Sequence, residues 1–368
     1  MTAGVGVWSQ TKQQPPPPCP RGRTTRLALV ALAITMTPSQ STALLRPSPH
    51  PHPAPAVPAA SSSGACVHLS FVECVPPVPD PKSPAVLLIH GLDSSAHTWK
   101  SVQPLLLPHC ASVAVDCRGC GRSPLGDPDD FTTESVVEDI KRLADSHKLL
   151  LGGSGDDDGI SGGQNRRLVL VGHSMGGRIA MCYAAKYPDD VAALVVEDMD
   201  IRRRAVSSNP MTLDKDMALS FGREFNSEED ALKAFTEVGY AHNMVSRWID
   251  EGRIYKRISD GKIWSDVHPA FRLLCYRHFF DSGSGKDVWK SIADNPCRGT
   301  SKAKQTFPIH LMVAGTDDTV CDQASIQRMK EIMGNRLNIK IYLKARHSIH
   351  NSAREEFVED LIQIIKST

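Results

Sequence analysis

Short apolar runs bounded by glycine, proline or polar turns recur along most of this chain, and between them lie stretches with apolar residues at helical spacing. Ala85-Val-Leu-Leu-Ile89 is continuously apolar between Pro84 and His90-Gly91, the pattern of a strand covered on both faces. Val67 to Cys74 alternates in part and predicts an edge strand; Ser112 to Asp116, Leu168 to Val171, Ala192 to Val196, Ile309 to Val313 and Asn338 to Leu343 predict further strands. Helical patterns fill the gaps at Trp99 to Leu107, Thr132 to Leu151, Arg178 to Tyr187, Asp322 to Met333 and Ser352 to Ile365. Thr132 or Thr133 caps the second of these, with Glu134 and Glu138 in its opening turns. Strand and helix in alternation imply right-handed crossovers and an α/β fold, a mostly parallel sheet with helices on both faces. The alternation lapses between residues 201 and 306, where charged helical segments such as Ser227 to Trp248 occur without a strong strand run. That segment reads as an inserted helical cap between core parts 67–200 and 307–368.

Residues 1–66 follow different rules. Arg21-Gly-Arg-Thr-Thr-Arg26 precedes about ten apolar residues, Leu27 to Met36, and then small residues at Ser41-Thr-Ala43, a signal-peptide layout too short to span a bilayer. Leu44 to Ala65 is rich in Pro, Ser, Ala and His with one Arg and no acid, like a transit segment. In sequence the two together resemble a bipartite plastid leader; secretion or a mitochondrial address are the alternatives. Pro15 to Pro18 and the His50 to Pro53 run read as low-complexity chain.

Formal charge over 368 residues is +1, which gives no pointer to nucleic acid or to an anionic membrane surface. No acid precedes Glu73, so the chain beyond the leader is mildly acidic. Ten cysteines are scattered without the spacing of a disulfide framework. Cys117-Arg-Gly-Cys120 has redox or zinc-ligand spacing but lacks a second pair to complete a tetrahedral set. Gly152 to Gln164, with six glycines and three consecutive aspartates, reads as a surface loop.

Chemistry concentrates where predicted strands end. Gly172-His-Ser174-Met-Gly176 fits G-x-S-x-G, in which a serine stands on a strained strand-to-helix turn that leaves no room for neighbouring side chains. Such a serine needs a base, an orienting carboxylate and donors for an oxyanion. Beyond Val313 come Asp317 and Asp318; beyond Leu343 come His347 and His350; beyond Val196 comes Asp198, and each is a candidate. Carboxyl ends of parallel strands meet at the cleft of such sheets, which brings these loops together.

From about residue 67 onward the chain resembles the α/β-hydrolases of the capped lipase and esterase type, on four motifs in register. These are His90-Gly91, Asp116-x-Arg118-Gly119-x-Gly121-x-Ser123, Gly172-His-Ser174-Met-Gly176-Gly177, and the late acid and histidine. Gly119 to Ser123, Val195 to Asp198 and the insert further resemble small-acyl esterases of the abhydrolase-domain group. The resemblance implies Ser174 as nucleophile, His347 as base with His350 its rival, and Asp318 as the acid with Asp317 and Asp198 as alternatives. It implies backbone N–H groups of Met175 and Leu92 as the oxyanion hole, and no cofactor or metal. Arg346 stands where the family usually has glycine. Arg118 is expected to hold the turn at Asp116, His90 to hold its own loop, and His173 to fill space beside the elbow.

The implied activity is hydrolysis of a carboxylic ester or thioester of a small or lipid-derived acyl group. A carbon–carbon bond hydrolase, peptidase, perhydrolase or acyltransferase would use the same residues, and a ligand-binding receptor could keep the fold without turnover. Dehalogenation and epoxide opening are disfavoured, because those family members carry a carboxylate where Ser174 stands.

Overall fold

The computed structural model describes residues 46–47, 67–77, 83–151, 167–203, 214–280, 285–294 and 306–368. The leader apart from residues 46–47 and the loop expected at 152–164 lie outside these residues.

Seven strands form the main sheet: β1 (Phe71–Cys74), β2 (Ala85–Ile89), β3 (Ser112–Val115), β4 (Leu168–His173), β5 (Val191–Glu197), β6 (Ile309–Ala314) and β7 (Leu337–Tyr342). Their order is β1-β3-β2-β4-β5-β6-β7, and every neighbouring pair is parallel except β1 with β3. Arg46–Pro47 pair antiparallel outside β1. Apolar runs become two-sided strands because the pleat sends alternate residues to opposite faces. In β2, Ala85, Leu87 and Ile89 join one buried cluster and Val86 and Leu88 the other.

Helix α1 (Thr133–Ser146) starts where its cap places it, with the Thr132 hydroxyl accepting the Ser135 N–H at 3.1 Å. Helix α2 (Met175–Lys186) follows β4 directly, and Arg178 fixes its side against the loop after β5 by donating to the carbonyls of Asp200 and Arg202. The insert differs from the expectation in two respects. The stretch from Ser227 to Trp248 is two helices, α3 (Glu228–Glu237) and α4 (His242–Asp250), because Gly239 between them adopts φ +88°. It also holds a small antiparallel sheet of Glu224–Phe225, Ile254–Lys256 and Ile263–Ser265. Strands of two or three residues are too short to register as an alternating pattern. After β6, α5 (Gln323–Met333) is capped by Asp322, and α6 (Arg354–Ser367) ends the chain. No helix among the described residues is long and apolar enough to cross a membrane.

Arg118 has a different task from the one expected. It lies buried and reaches α1, donating to Asp139 at 2.6 Å. The turn at Asp116 is held by that residue's own carboxylate, which accepts the N–H groups of Ala96 (2.7 Å) and Arg122 (3.0 Å).

Candidate active site

Ser174 sits between β4 and α2 at φ +51°, ψ −119°, a conformation costly for a residue with a side chain. Sterics around it explain the flanking glycines. A Cβ on Gly172 would come within 2.2 Å of the Gly176 carbonyl oxygen, and one on Gly176 within 2.3 Å of the Ile89 carbonyl oxygen. Neither backbone can retreat, so the turn closes only with both glycines. The Ser174 N–H donates to the Glu197 carbonyl at 2.9 Å, which fixes the strained residue against β5.

The loop after β2 lies against this turn: a Cβ on Gly91 would stand 2.7 Å from His173 Nδ1 and 3.3 Å from Ser174 Cβ. Leu92, next in the loop, lines a cleft of about 880 Å³ together with Ser174, His173 and His347. Met175 opens α2, where the first N–H groups have no intrahelical acceptor. Of the two residues expected to supply oxyanion donors, Met175 follows Ser174 in the chain and Leu92 shares its cleft.

Of the two candidate bases, His347 is the one that lines this cleft. Its Nδ1 lies 2.6 Å from Asp198 Oδ2, and Asp198 is fully buried. Asp198 adopts φ +45° after β5, and its carboxylate also accepts from Ala314 N (3.0 Å), Val320 N (3.1 Å) and the Thr319 hydroxyl (2.6 Å). The acid that meets the imidazole thus comes from β5, and the expected Asp318 does not reach it. Asp318 is exposed; it accepts the backbone N–H of His347 at 3.1 Å and the Thr316 hydroxyl at 2.6 Å, and it pairs with Arg346 at 3.3 Å. Those hydrogen bonds, the Thr316 hydroxyl first, hold its carboxyl below the usual range. Arg346, at the position where the family usually has glycine, is therefore anchored to the loop that carries Asp318. Asp317 is exposed and does not line the cleft.

His350, the rival base, is fully buried. Its Nδ1 meets both oxygens of Glu197 at 2.8 and 2.9 Å, and its Nε2 meets the Thr98 hydroxyl at 2.7 Å. Every ring nitrogen is engaged away from Ser174, so it serves the interior. His173 packs between the two, with ring centroids 4.7 Å from His347 and 4.9 Å from His350, and its Nε2 donates to the His347 carbonyl at 3.2 Å. Burial drives the His173 pKa down to about 3, so the ring stays neutral.

The fold and the geometry just described coincide with a family match: the sequence profile described as "Alpha/beta hydrolase family" fits residues 86–360. The chain belongs to the alpha/beta hydrolase family. A Bacillus subtilis (strain 168) protein provisionally named as a 2-succinyl-6-hydroxy-2,4-cyclohexadiene-1-carboxylate synthase is 32% identical over 274 residues, covering 73% of this chain and 85% of that protein. Lipase LipV of Mycobacterium tuberculosis is 37% identical over 119 residues, which cover 32% of this chain and 38% of the lipase. Among solved structures, a marine microorganism esterase superposes with a TM-score of 0.56 at 19% identity, over 81% of this chain and 99% of the esterase, a likeness of fold. These relatives place the chain among the hydrolase enzymes.

Several contacts of this hydrolase-family site had no counterpart in the motifs. Asp93, one residue beyond Leu92, is buried at φ +54° and gathers the insert around the loop. Its carboxylate accepts from the Tyr240 hydroxyl at 3.0 Å and from Arg272 Nε at 2.7 Å, and its carbonyl accepts from Arg253. Three side chains of the insert thereby clamp the segment that carries Leu92. A polar residue directly after His-Gly-Leu was the signal available, but its partners lie 147 to 179 residues away in sequence. Cys117 and Cys120 are both buried, and desolvation pushes their thiols up, the opposite of an activated thiolate.

Proposed function

We propose that this chain is a serine hydrolase that cleaves carboxylic esters or thioesters through an acyl-enzyme on Ser174. The observation that carries the reading is a single cleft lined by a positive-φ serine and by a histidine whose Nδ1 faces a buried carboxylate. With Nδ1 engaged by Asp198, Nε2 of His347 is the nitrogen that can take the proton of Ser174 Oγ as the oxygen attacks the acyl carbon. Asp198 holds that tautomer and stabilises the imidazolium. The N–H groups of Leu92 and Met175 receive the carbonyl oxygen as it becomes an oxyanion, each such donor contributing on the order of 3 kcal/mol. His347 returns the proton to the departing alkoxide or thiolate. Water, deprotonated by the same nitrogen, then attacks the acyl-enzyme and releases the acid. The insert between β5 and β6 acts as the cap that shapes the substrate cleft.

A fluorophosphonate probe is expected to label the wild-type protein and not Ser174→Ala, and a panel of p-nitrophenyl esters and acyl-thioesters to be hydrolysed with the same dependence. Folded protein that resists the probe, or labelling that persists in Ser174→Ala, overturns the proposal. The provisional synthase name of the Bacillus subtilis relative favours a second reading, in which the same residues act on a bond other than an ester. A labelled Ser174 with no turnover across the ester and thioester panel decides for that reading.

A further inference from the structure

Charge in the cleft is unevenly distributed. Among its described lining residues, Lys100, Arg247, Arg253 and Arg272 stand against two carboxylates, Asp93 and Glu251. Both carboxylates are already taken: Asp93 by Arg272, and Glu251 by Arg247 one helical turn away at 3.7 Å. Lys100 and Arg253 are left without a carboxylate within 4.0 Å among the described residues. Lys100 Nζ donates to His97 Nε2 at 2.6 Å, and Arg253 stacks on Trp248 at 4.8 Å while donating to the Asp93 carbonyl. Asp266, the acid that acts on Arg253 at longer range, is shared with Arg223 and Arg122 and has its own carboxyl raised by burial. His97 registers the resulting field, its pKa lowered by burial and then by the charges of Lys100 and Arg253.

These two cations come from different parts of the chain and both act on His97. Lys100 follows the short helix Ala96–Trp99 in the core, and Arg253 follows α4 in the insert. Lys100 is exposed and Arg253 half-buried, and together they make this part of the cleft electropositive, a field that favours an anion. The same cleft also has apolar lining, with Met199, Met244, Trp248 and Tyr276. A ligand that suits both parts has a short apolar body and one ionised group.

Resting on the serine-hydrolase reading, we propose that the substrate is an ester or thioester that also bears an ionised carboxylate, seated between Lys100 and Arg253. Arg253 offers a planar fork and Lys100 a point charge, a combination suited to a carboxylate approached from two sides.

Binding and turnover test this separately. In Ser174→Ala, titration calorimetry with monomethyl succinate against its uncharged analogue methyl butyrate should show at least a tenfold preference for the carboxylate ligand, weakening as salt is raised. Lys100→Gln and Arg253→Gln added to that background should each reduce the preference about tenfold, and Lys100→Arg should retain it. In the active protein, mono-p-nitrophenyl succinate against p-nitrophenyl butyrate places the carboxylate on the acyl side. 4-Carboxyphenyl acetate against phenyl acetate places it on the leaving group. A gain in kcat/KM for one pair identifies the side. Equal or tighter binding of methyl butyrate, or a preference untouched by both glutamine variants, overturns the proposal. Carboxylate binding without turnover of any ester leaves the proposed anion site standing and counts against the esterase chemistry; turnover with no carboxylate preference does the reverse.

Discussion

Replacing Asp198 by asparagine separates the two acids that compete for the catalytic role. Four donors converge on the native carboxylate: Ala314 N and the Thr319 hydroxyl on Oδ1, Val320 N and His347 Nδ1 on Oδ2. An amide of the same shape has one acceptor atom and one NH2. If the NH2 takes the Oδ2 position it faces two donors, and His347 can relieve the clash only by moving its proton to Nε2, which removes the base. If it takes the Oδ1 position, the buried Ala314 N–H loses its acceptor and the imidazolium still loses its counter-charge. Either way the expected loss is about 10⁴-fold in the rate of acylation, roughly 5 kcal/mol of barrier at 1.36 kcal/mol per decade. Asp318→Asn is the control. Its carboxylate is solvent-exposed, and an asparagine oxygen can still accept the His347 backbone N–H, so the loss stays below about tenfold. The assay is the pseudo-first-order rate of fluorophosphonate labelling together with kcat/KM on whichever ester is turned over, with circular dichroism as the check on folding. A variant Asp318→Asn slowed a thousandfold beside a nearly native Asp198→Asn would refute the reasoning.

Three further outcomes follow from contacts around the serine. His90 is buried with Nδ1 donating to the Gly91 carbonyl (2.8 Å) and Nε2 accepting from Cys117 N (3.0 Å), a neutral tautomer, and burial lowers its pKa to about 4. The folded value lies below the unfolded one of about 6.5, so its contribution, on the order of 3 kcal/mol, is present above pH 6.5 and lost as pH falls towards 4. Thermal melts between pH 7 and 5 should show a fall in Tm that is shallower in His90→Gln, with a residue of the slope left by His173, whose pKa is lowered to about 3. Arg272→Met leaves the buried Asp93 carboxylate with the Tyr240 hydroxyl as its remaining side-chain partner, and urea titration should show a loss of about 3 kcal/mol with a lowered kcat as the Leu92 loop slackens. Gly91→Ala drives a methyl to within 2.7 Å of His173 Nδ1 and 3.3 Å of Ser174 Cβ, and fluorophosphonate labelling should fall at least a hundredfold while far-ultraviolet circular dichroism stays native. Native labelling in that variant would show that the His90-Gly91 loop does not set the site.

Legibility followed the range of the interactions. Strands β2 and β5 were readable because burial on both faces demands an unbroken apolar run, and the ends expected at Ala85 and Ile89 are the ends observed. The strained turn at Ser174 was readable because its glycines lie two residues either side of it, where a Cβ on Gly172 would meet the Gly176 carbonyl oxygen and one on Gly176 the Ile89 carbonyl oxygen. The insert's sheet and the break at Gly239 were not, since strands of two or three residues carry no period and one glycine inside a charged stretch is a weak stop signal. The acid failed for a different reason. Asp318 and Asp198 both end a parallel strand on the cleft side, and which of them meets His347 depends on how far each loop reaches across the sheet, a quantity that spacing along the chain does not contain. Yet one local sign was present in Glu197-Asp198. Two adjacent carboxylates at the end of a wholly apolar strand cannot be left unpaired in the interior, because each would lose several kcal/mol of solvation. Each must therefore find a cation or a donor set, and two histidines three residues apart, His347 and His350, lie at the end of the next strand but one. The structure pairs them in that sense, Asp198 with His347 at the cleft and Glu197 with His350 below it. Glu197 ends the strand and Asp198 turns out of it at φ +45°, so the two carboxylates meet different histidines, and the acid paired with the ring that lines the cleft is the one whose removal should abolish chemistry.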